Sequence, residues 1–393
     1  MAALASARAG ATVRLVSHKQ STLRQASGLV DVLGRVDGDT VADPFGALDS
    51  LPPDHPYRTV GAAGIREGLA AFEAAVGDAY RGGHTDRNAL VPTSGGTVKP
   101  TARYPASVAA GLASDDRDAL LVGFESVTDF DAPLSAAHLD AAGVPFAARG
   151  ETVRFPADLR ADATVTRYAA LLDDEPVRAD LARAVADRHD GEARIGFPAL
   201  LGAEDPAAVR ADLEARLDAA VFEVPTGPPS LPGMRLAERL DAALEAAGVL
   251  VETGNPVVGY DATGDRIERV LVERVNAAVS YRADAVVLAT GGLVGGGVDS
   301  DRDGVFEPTF GLPVAHPEDR YEWAAEAPFG DHAFARFGVE FDGELRPLAA
   351  DGAVAYENLR AAGAVLAGAD FPAEKSGSGV SIATGVAAGR GAA

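Results

Sequence analysis

The chain has 393 residues, 47% of them hydrophobic, which suits two domains, or one large domain with an insertion, around a real core. Its 58 acidic against 35 basic residues give a formal net charge of −23, spread along the chain. That balance argues against nucleic-acid binding, which needs a basic face, and against direct docking on anionic lipid. No cysteine is present, so disulfides, thiolate metal sites, iron–sulfur ligation and a cysteine nucleophile are excluded within the chain.

In chain order, Ala2 to Ala9 reads as a small-residue helix stopped by Gly10, and Ala11–Ser17 as a short strand. A helix, a glycine and a strand form the second half of a βαβ unit, whose first strand and glycine-rich turn would precede Met1; the expectation is a start that lies inside the first helix of the natural protein. The N-terminus lacks a basic stretch followed by a long apolar one, so no signal peptide is expected, and no window is long and apolar enough to span a bilayer. The glycine-punctuated "QASGLVDVLGRVDGD" follows, then a helix around "GAAGIREGLAAFEAAVGDAY".

Residues 91–235 carry their own elements. "ALLVGFES" is a buried-strand run, "LSAAHLDAAG" a helix, and "GEARIGFPAL" and "AAVFEVPTGPP" are strands flanking the amphipathic helix "DPAAVRADLEARLD". The expectation is an α+β insertion. Residues 236–393 return to nucleotide-domain grammar: the helix "LAERLDAALEAAG", consecutive strands with tight turns in "VLVETGNPVVGYDATGDRIERVLVE", and "ADAVVLATGG", a continuous apolar strand expected to be buried on both faces.

Two stretches carry candidate chemistry. Thr290, Gly291 and Gly292 stand at the carboxyl end of the last of these strands, where ligands bind in open α/β sheets, and glycine lets the backbone approach a cofactor closely. In "ENLRAAGAVLAGADFPAEKSGSGVSIATGVAAGR", a short strand ends at Gly363 and a loop holds Gly368 and Asp370. Gly377 and Gly379 then open a small-residue helix whose N-terminus offers N–H groups to a ligand oxygen or anion. The plainer reading of each piece is a flexible glycine turn. "DSDRDG" at 299–304 looks like the start of a calcium loop, but position twelve is Phe310 where a bidentate Glu is needed. The histidines show no metal spacing either, so no metal is expected.

The order of strand pair, strand–ATGG, N-L-x-x-A-G and glycine-opened terminal helix resembles the flavoproteins with two dinucleotide-binding domains. The segments "SGLVDVLG", "HPY", "VTDFDAPLSAAHL", "VPTGPPSLPGMRL", "EPTFGLPV" and "FGVEFDGELRP" narrow the resemblance to the B subunits of anaerobic glycerol-3-phosphate dehydrogenase, over nearly the whole chain. The resemblance implies an α/β fold: a Rossmann-like flavin-binding domain from residues 1–90 and 236–393, with residues 91–235 inserted. It implies a flavin, FMN or alternatively FAD, which supplies the redox chemistry while the protein places and tunes it. It implies two partners at the inner face of the cell membrane, a FAD-bearing catalytic chain and an iron–sulfur, membrane-anchoring chain. The complex would oxidise sn-glycerol 3-phosphate to dihydroxyacetone phosphate with electrons passed to quinone. A flavin enzyme of the fumarate-reductase type and a flavin-free assembly protein are the alternatives.

Individual residues follow from this frame. Ser17 closes the first strand where such folds place Asp or Glu on an adenosine ribose; a short uncharged serine suits a mononucleotide, or simply ends a strand. Ser27 and Gly28 lie in a region that approaches the flavin in the larger class. His55, in "DHPYRT", could take a hydroxyl proton, or could fix a turn before Pro56. Arg235 could hold a substrate phosphate bidentately, or could be a helix-surface arginine. Finally, only Lys19, Lys99 and Lys375 are lysines; with the aspartate excess this reads as a protein of a high-salt cytoplasm, where self-repulsion is screened.

Overall fold

The computed structural model describes residues 1–20, 22–159, 163–275 and 277–393. The chain starts with helix α1 (Ala2–Arg8), strand β1 (Arg14–Ser17) and the long helix α2 (Pro56–Val76). A second series follows: β2 (Ala119–Phe124), α3 (Ala132–Ala141), β3 (Ala148–Val153), α4 (Val165–Leu172), α5 (Glu175–Ala186), β4 (Arg194–Pro198), α6 (Pro206–Leu217), β5 (Ala220–Val224) and α7 (Leu231–Ala246). The C-terminal third holds β6 (Leu250–Thr253), β7 (Val257–Thr263), β8 (Arg266–Arg274), β9 (Ala277–Arg282), β10 (Val286–Leu288), β11 (Leu359–Ala361), α8 (Phe371–Glu374) and α9 (Gly377–Gly391). None of the helices is long and apolar enough, among the described residues, to cross a membrane.

Two compact units emerge: Met1–Ser21, Asp31–Gly77 and Arg239–Ala393 form one, and Thr22–Val30 with Asp78–Glu238 the other. The second unit carries a four-stranded sheet that is all parallel, in the order β5-β4-β2-β3, with a helical crossover at every connection; short antiparallel pairs, Tyr80–Arg81 with Tyr104–Pro105 and Ala89–Pro92 with Val98–Thr101, precede it. Each strand therefore has two faces to bury. Leu120, Val122 and Phe124 point into one core with Ile195, Phe197 and residues of α4, α5 and α6, while Ala119 and Leu121 point into another with Phe222 and residues of α3. This is the period-two alternation of a strand buried on both faces. The helices start where the sequence supplies caps: Asp131 accepts from the Leu134 N–H, and Asp205 from the Ala208 N–H, both at 3.0 Å.

A buried cation locks this unit. Arg194, on β4, is completely inaccessible. Its guanidinium donates to the carbonyls of Arg117 (2.8 Å), Ala110 (3.3 Å), Leu112 (3.1 Å) and Asp115 (3.1 Å), and lies 4.4 Å from the Phe146 ring centroid. A charge this far from water persists only because every donor finds an oxygen.

In the first unit, β1 pairs in parallel with β6, β10 with β11, and β7, β8 and β9 form an antiparallel sheet. The strand around Val286–Leu288 is shorter and more open than expected: Leu288 is buried, Val286 and Val287 are half-buried, and Ala289 and Thr290 are exposed. Helices α1 and α2 each pack on α9 through glycine. A Cβ on Gly68 of α2 would come within 2.9 Å of the Ala383 Cα, and one on Gly389 of α9 within 2.3 Å of the Ala2 carbonyl oxygen. Helix α2 begins at Pro56, earlier than the sequence pattern implied, and bends at Gly61 (φ 65°).

Replacing Arg194 with methionine orphans four carbonyls at roughly 1 kcal/mol each. The variant is expected to lose at least about 3 kcal/mol of stability in denaturant titration at molar salt. Limited proteolysis should then cut first within 110–117; a wild-type cleavage pattern would count against the lock.

Candidate functional site

Ten of the sequence-predicted site residues lie in the first unit and three in the second. In the first, the C-terminal helix is the assembling element. Gly363 (φ 76°) donates its N–H to the Thr384 hydroxyl of α9 at 2.9 Å. A Cβ at Gly363 would meet the Ser381 Oγ at 3.3 Å, and one at Gly292 would sit 2.9 Å from the Ala364 carbonyl. The Thr290–Gly292 turn, the Gly363 turn and the first turns of α9 thus come together. Gly291 takes a left-handed φ of 87°, and Thr290 and Ser381 are exposed there.

The other side of the α9 N-terminus rests on the early glycine-punctuated segment. Gly379 donates its N–H to the Asp31 carbonyl (2.7 Å), and the Asp31 N–H donates to the Ser378 hydroxyl (2.8 Å). A Cβ on Gly379 would lie 2.2 Å from the Tyr57 hydroxyl, so no other residue fits without a shift. Gly368 (φ 92°) abuts the Asp54 carbonyl in the same way, at 2.8 Å. Asp370 caps α8 by accepting from Ala373, and its other oxygen stands 3.5 Å from Arg336.

His55 sits beneath this turn with no exposure at all. Its Nδ1 accepts the Tyr57 N–H at 3.0 Å, capping α2, so the ring proton resides on Nε2 and is donated to Glu374 Oε2 at 3.1 Å. The Ser376 hydroxyl donates to the same carboxylate oxygen at 2.6 Å, and the Asp370 N–H to Oε1 at 3.0 Å. Burial alone would raise the Glu374 carboxyl; the hydrogen bonds from His55, Ser376 and Asp370 outweigh it and hold the group below the ordinary carboxylate range. Both nitrogens of His55 are therefore occupied within the unit. Ser17 ends β1 opposite Thr253, its hydroxyl donating to the Lys19 carbonyl at 2.5 Å.

In the second unit, Gly28 (φ 76°) would place a Cβ 2.7 Å from the Pro232 Cβ, and its carbonyl accepts from the Tyr80 hydroxyl at 2.7 Å. The Ser27 hydroxyl accepts from Leu29 at 3.4 Å. Arg235 is held by Glu223 Oε2 (2.7 Å) and by the carbonyls of Leu201 (2.9 Å) and Gly202 (2.6 Å). The Glu223 side chain is wholly buried and also accepts from the Leu201 N–H at 2.8 Å. At 299–304 the aspartates build a hairpin turn, with Asp301 accepting from Asp303 and Gly304, and no cluster of three potential ligands exists among the described residues.

Sequence reasoning missed Asp31, Glu374, Ser376, Ser378 and Ser381. The only signal for them is their position: all but Asp31 flank the glycines that open α9. The folded carboxyl of Glu374 titrates below its unfolded value, so its contribution is complete above about pH 5 and fades as pH falls through the folded pKa. Glu374→Gln is expected to cost about 2 kcal/mol near neutrality. That difference from wild type should shrink below about pH 4, as read from unfolding midpoints across a pH series.

A family model described as FAD binding domain matches residues 1–380. The probable B subunit of an anaerobic glycerol-3-phosphate dehydrogenase from Halobacterium salinarum is 62% identical, across 100% of this chain and 94% of its own. The B subunits of anaerobic glycerol-3-phosphate dehydrogenase from Pectobacterium atrosepticum and Yersinia pestis are 32% and 31% identical, across 96% and 97% of this chain and 91% and 92% of theirs. A solved 3-ketosteroid-Δ4-(5α)-dehydrogenase from Rhodococcus jostii RHA1 aligns along 100% of this chain and 92% of its own, at 12% identity and a TM-score of 0.34, too distant to transfer any residue. The chain belongs to the FAD binding domain family and, within it, to the B subunits of anaerobic glycerol-3-phosphate dehydrogenase.

Proposed function

We propose that this chain is the flavin-carrying B subunit of a respiratory complex that oxidises sn-glycerol 3-phosphate to dihydroxyacetone phosphate and passes the electrons to quinone. The observation that carries the reading is the junction of the Thr290–Gly292 turn, the Gly363 turn and the α9 N-terminus, set in a chain whose relatives bear that name. The donor set fits a flavin. Backbone approaches closely at Gly291 and Gly363, Thr290 and Ser381 are exposed, and the start of a fifteen-residue helix supplies positive dipole. A bound flavin supplies two-electron acceptance; the protein supplies placement and electronics.

In this reading the amides of Gly377 and Ser378 would hold a bound flavin, while Gly379 is committed to holding the helix on Asp31. Thr290, Gly291 and Gly292 line the approach at the strand end, and Gly368 and Asp370 shape the loop that leads into α9. His55 positions rather than catalyses, because Tyr57 and Glu374 occupy both its nitrogens. Arg235 braces Glu223 and the 201–202 carbonyls instead of binding phosphate. Ser27 and Gly28 keep the loop of the second unit at its sharp turn.

FMN is the finer assignment. Ser17 brings no carboxylate to the end of β1 for an adenosine ribose, and its hydroxyl is turned to Lys19. FAD is favoured instead by the description of the matched family. Docking at the inner face of a membrane would come through a FAD-bearing catalytic chain and an iron–sulfur anchoring chain.

Thr290→Arg places a long cation where the flavin is expected, on an exposed residue. Bound flavin, measured by absorbance after purification, should fall at least about tenfold, while the unfolding free energy of flavin-free protein stays within about 0.5 kcal/mol of wild type. The reconstituted complex should reduce a dye on addition of glycerol 3-phosphate. Absence of flavin from the wild-type chain and no response to that substrate would sink the reading. Release of the cofactor and chromatography decides between FMN and FAD.

A further inference from the structure

We propose that the Glu374 carboxylate tunes the flavin, holding its reduction potential low by opposing the dipole of α9. The proposal rests on the reading of this chain as a flavin carrier at the α9 N-terminus.

Three observations tie Glu374 to that turn. Ser376 stands where a serine ordinarily caps a helix by accepting a first-turn N–H, yet it makes no such cap, and its hydroxyl donates to Glu374 Oε2 at 2.6 Å. With the Gly379 N–H committed to Asp31, the N–H groups of Gly377 and Ser378 find no acceptor among the described residues. Glu374 thus keeps the start of α9 open. Next, the carboxylate is sheltered, its side chain only 14% exposed, and hydrogen bonds keep it ionised. Finally, no arginine or lysine pairs with it among the described residues. Its donors are the His55 Nε2–H (3.1 Å), the Ser376 hydroxyl and the Asp370 N–H (3.0 Å). His55 is neutral, because its Nδ1 accepts from Tyr57. Arg336 pairs with Asp331 and Asp370, and Lys375 turns its ammonium to the Pro372 carbonyl. Asp370 is therefore offset by a cation and Glu374 is not.

The sign follows from charge. Two electrons and one proton convert an oxidised flavin into its anionic reduced form, which adds one negative charge. In turnover the alcohol loses two electrons and two protons to become a ketone, and the second proton goes to solvent. The amides and dipole at the start of α9 favour the added charge, and a fixed carboxylate behind the same turn opposes it. Two like charges in a sheltered site repel more strongly than across water. Glu374 thus destabilises the reduced form relative to the oxidised one.

The test is the midpoint potential of flavin bound to the full chain, read by anaerobic reductive titration against a reference dye near neutral pH. Molar salt is used, because it screens exposed charges far more than sheltered ones. Glu374→Gln removes the charge and keeps the shape. It is expected to raise the two-electron equilibrium constant at least about tenfold, about 30 mV upward. Glu374→Asp keeps the charge and shortens its reach, and its constant should stay within about threefold of wild type. A Gln variant at the wild-type potential overturns the proposal. So does an Asp variant that shifts as far as the Gln variant, because the contact and not the charge would then set the value. Ser376→Ala decides the matter where the Gln variant does not fold. It cuts one hydrogen bond of the same network and keeps the charge, so its potential should not rise, and a rise overturns the assignment. A wild-type chain that takes up no flavin sinks the underlying reading and the tuning with it; a loaded wild type with unmoved variants sinks the tuning alone.

Discussion

The first unit depends on how closely α9 approaches the elements around it. A helix carrying Gly377, Gly379, Gly385, Gly389 and Gly391 has poor intrinsic propensity. It is helical because missing side chains let backbone meet backbone, at Gly68 against Ala383, at Gly389 against Ala2 and at Gly379 against Asp31. Dispersion gained across such contacts, together with polar seals such as the Ser6 hydroxyl on the Gly389 carbonyl at 2.7 Å, replaces what large apolar side chains supply elsewhere. The same contacts fix where the α9 N-terminus points. Packing and candidate site are therefore one feature, and bulk added at a glycine of α9 would disturb both.

How much of this was legible in the sequence depends on the range of the interaction. Local signals read well: Gly10 after α1, the amphipathic spacing of α6, and the buried apolar run of β2. The order ATGG, then glycine loop, then small-residue helix also placed the elements that meet around α9. The parallel character of the inserted sheet was hidden because short antiparallel hairpins, such as Ala89–Pro92 with Val98–Thr101, precede it and blur the pattern. The partner of His55 lies 319 residues away, and no spacing rule reaches that far. The burial of Arg194 had no signal of its own. Arginine is rarely buried, and a strand with a fully sequestered guanidinium looks from sequence like one with an exposed edge.

Electrostatics divide into two regimes. At the surface, arginines are laced among acids, as where Arg154 reaches Asp158 or Arg183 reaches Asp180. Such exposed pairs contribute little each, and high salt screens them further. The acidic surface then acts on solubility rather than on fold. Inside, screening is much weaker: Arg194 on its carbonyls, Arg235 on Glu223, and Glu374 beneath α9 lose far less of their interaction to salt. A protein with a net charge of −23 can thus stay folded in concentrated salt, because its decisive charges are the sequestered ones.

The same division bears on chemistry. Oxidising an alcohol requires a group that can accept a proton at the substrate, with a free lone pair open to it. Around the α9 N-terminus several titratable groups are already engaged: His55 on Tyr57 and Glu374, Glu374 on Ser376 and Asp370, Asp370 on the start of α8. Beside them the turn offers backbone amide, hydroxyl and dipole. That inventory suits holding an electron carrier and stabilising its reduced, more negative form. Removing a proton from an alcohol would call on a group with a free lone pair beyond those just named.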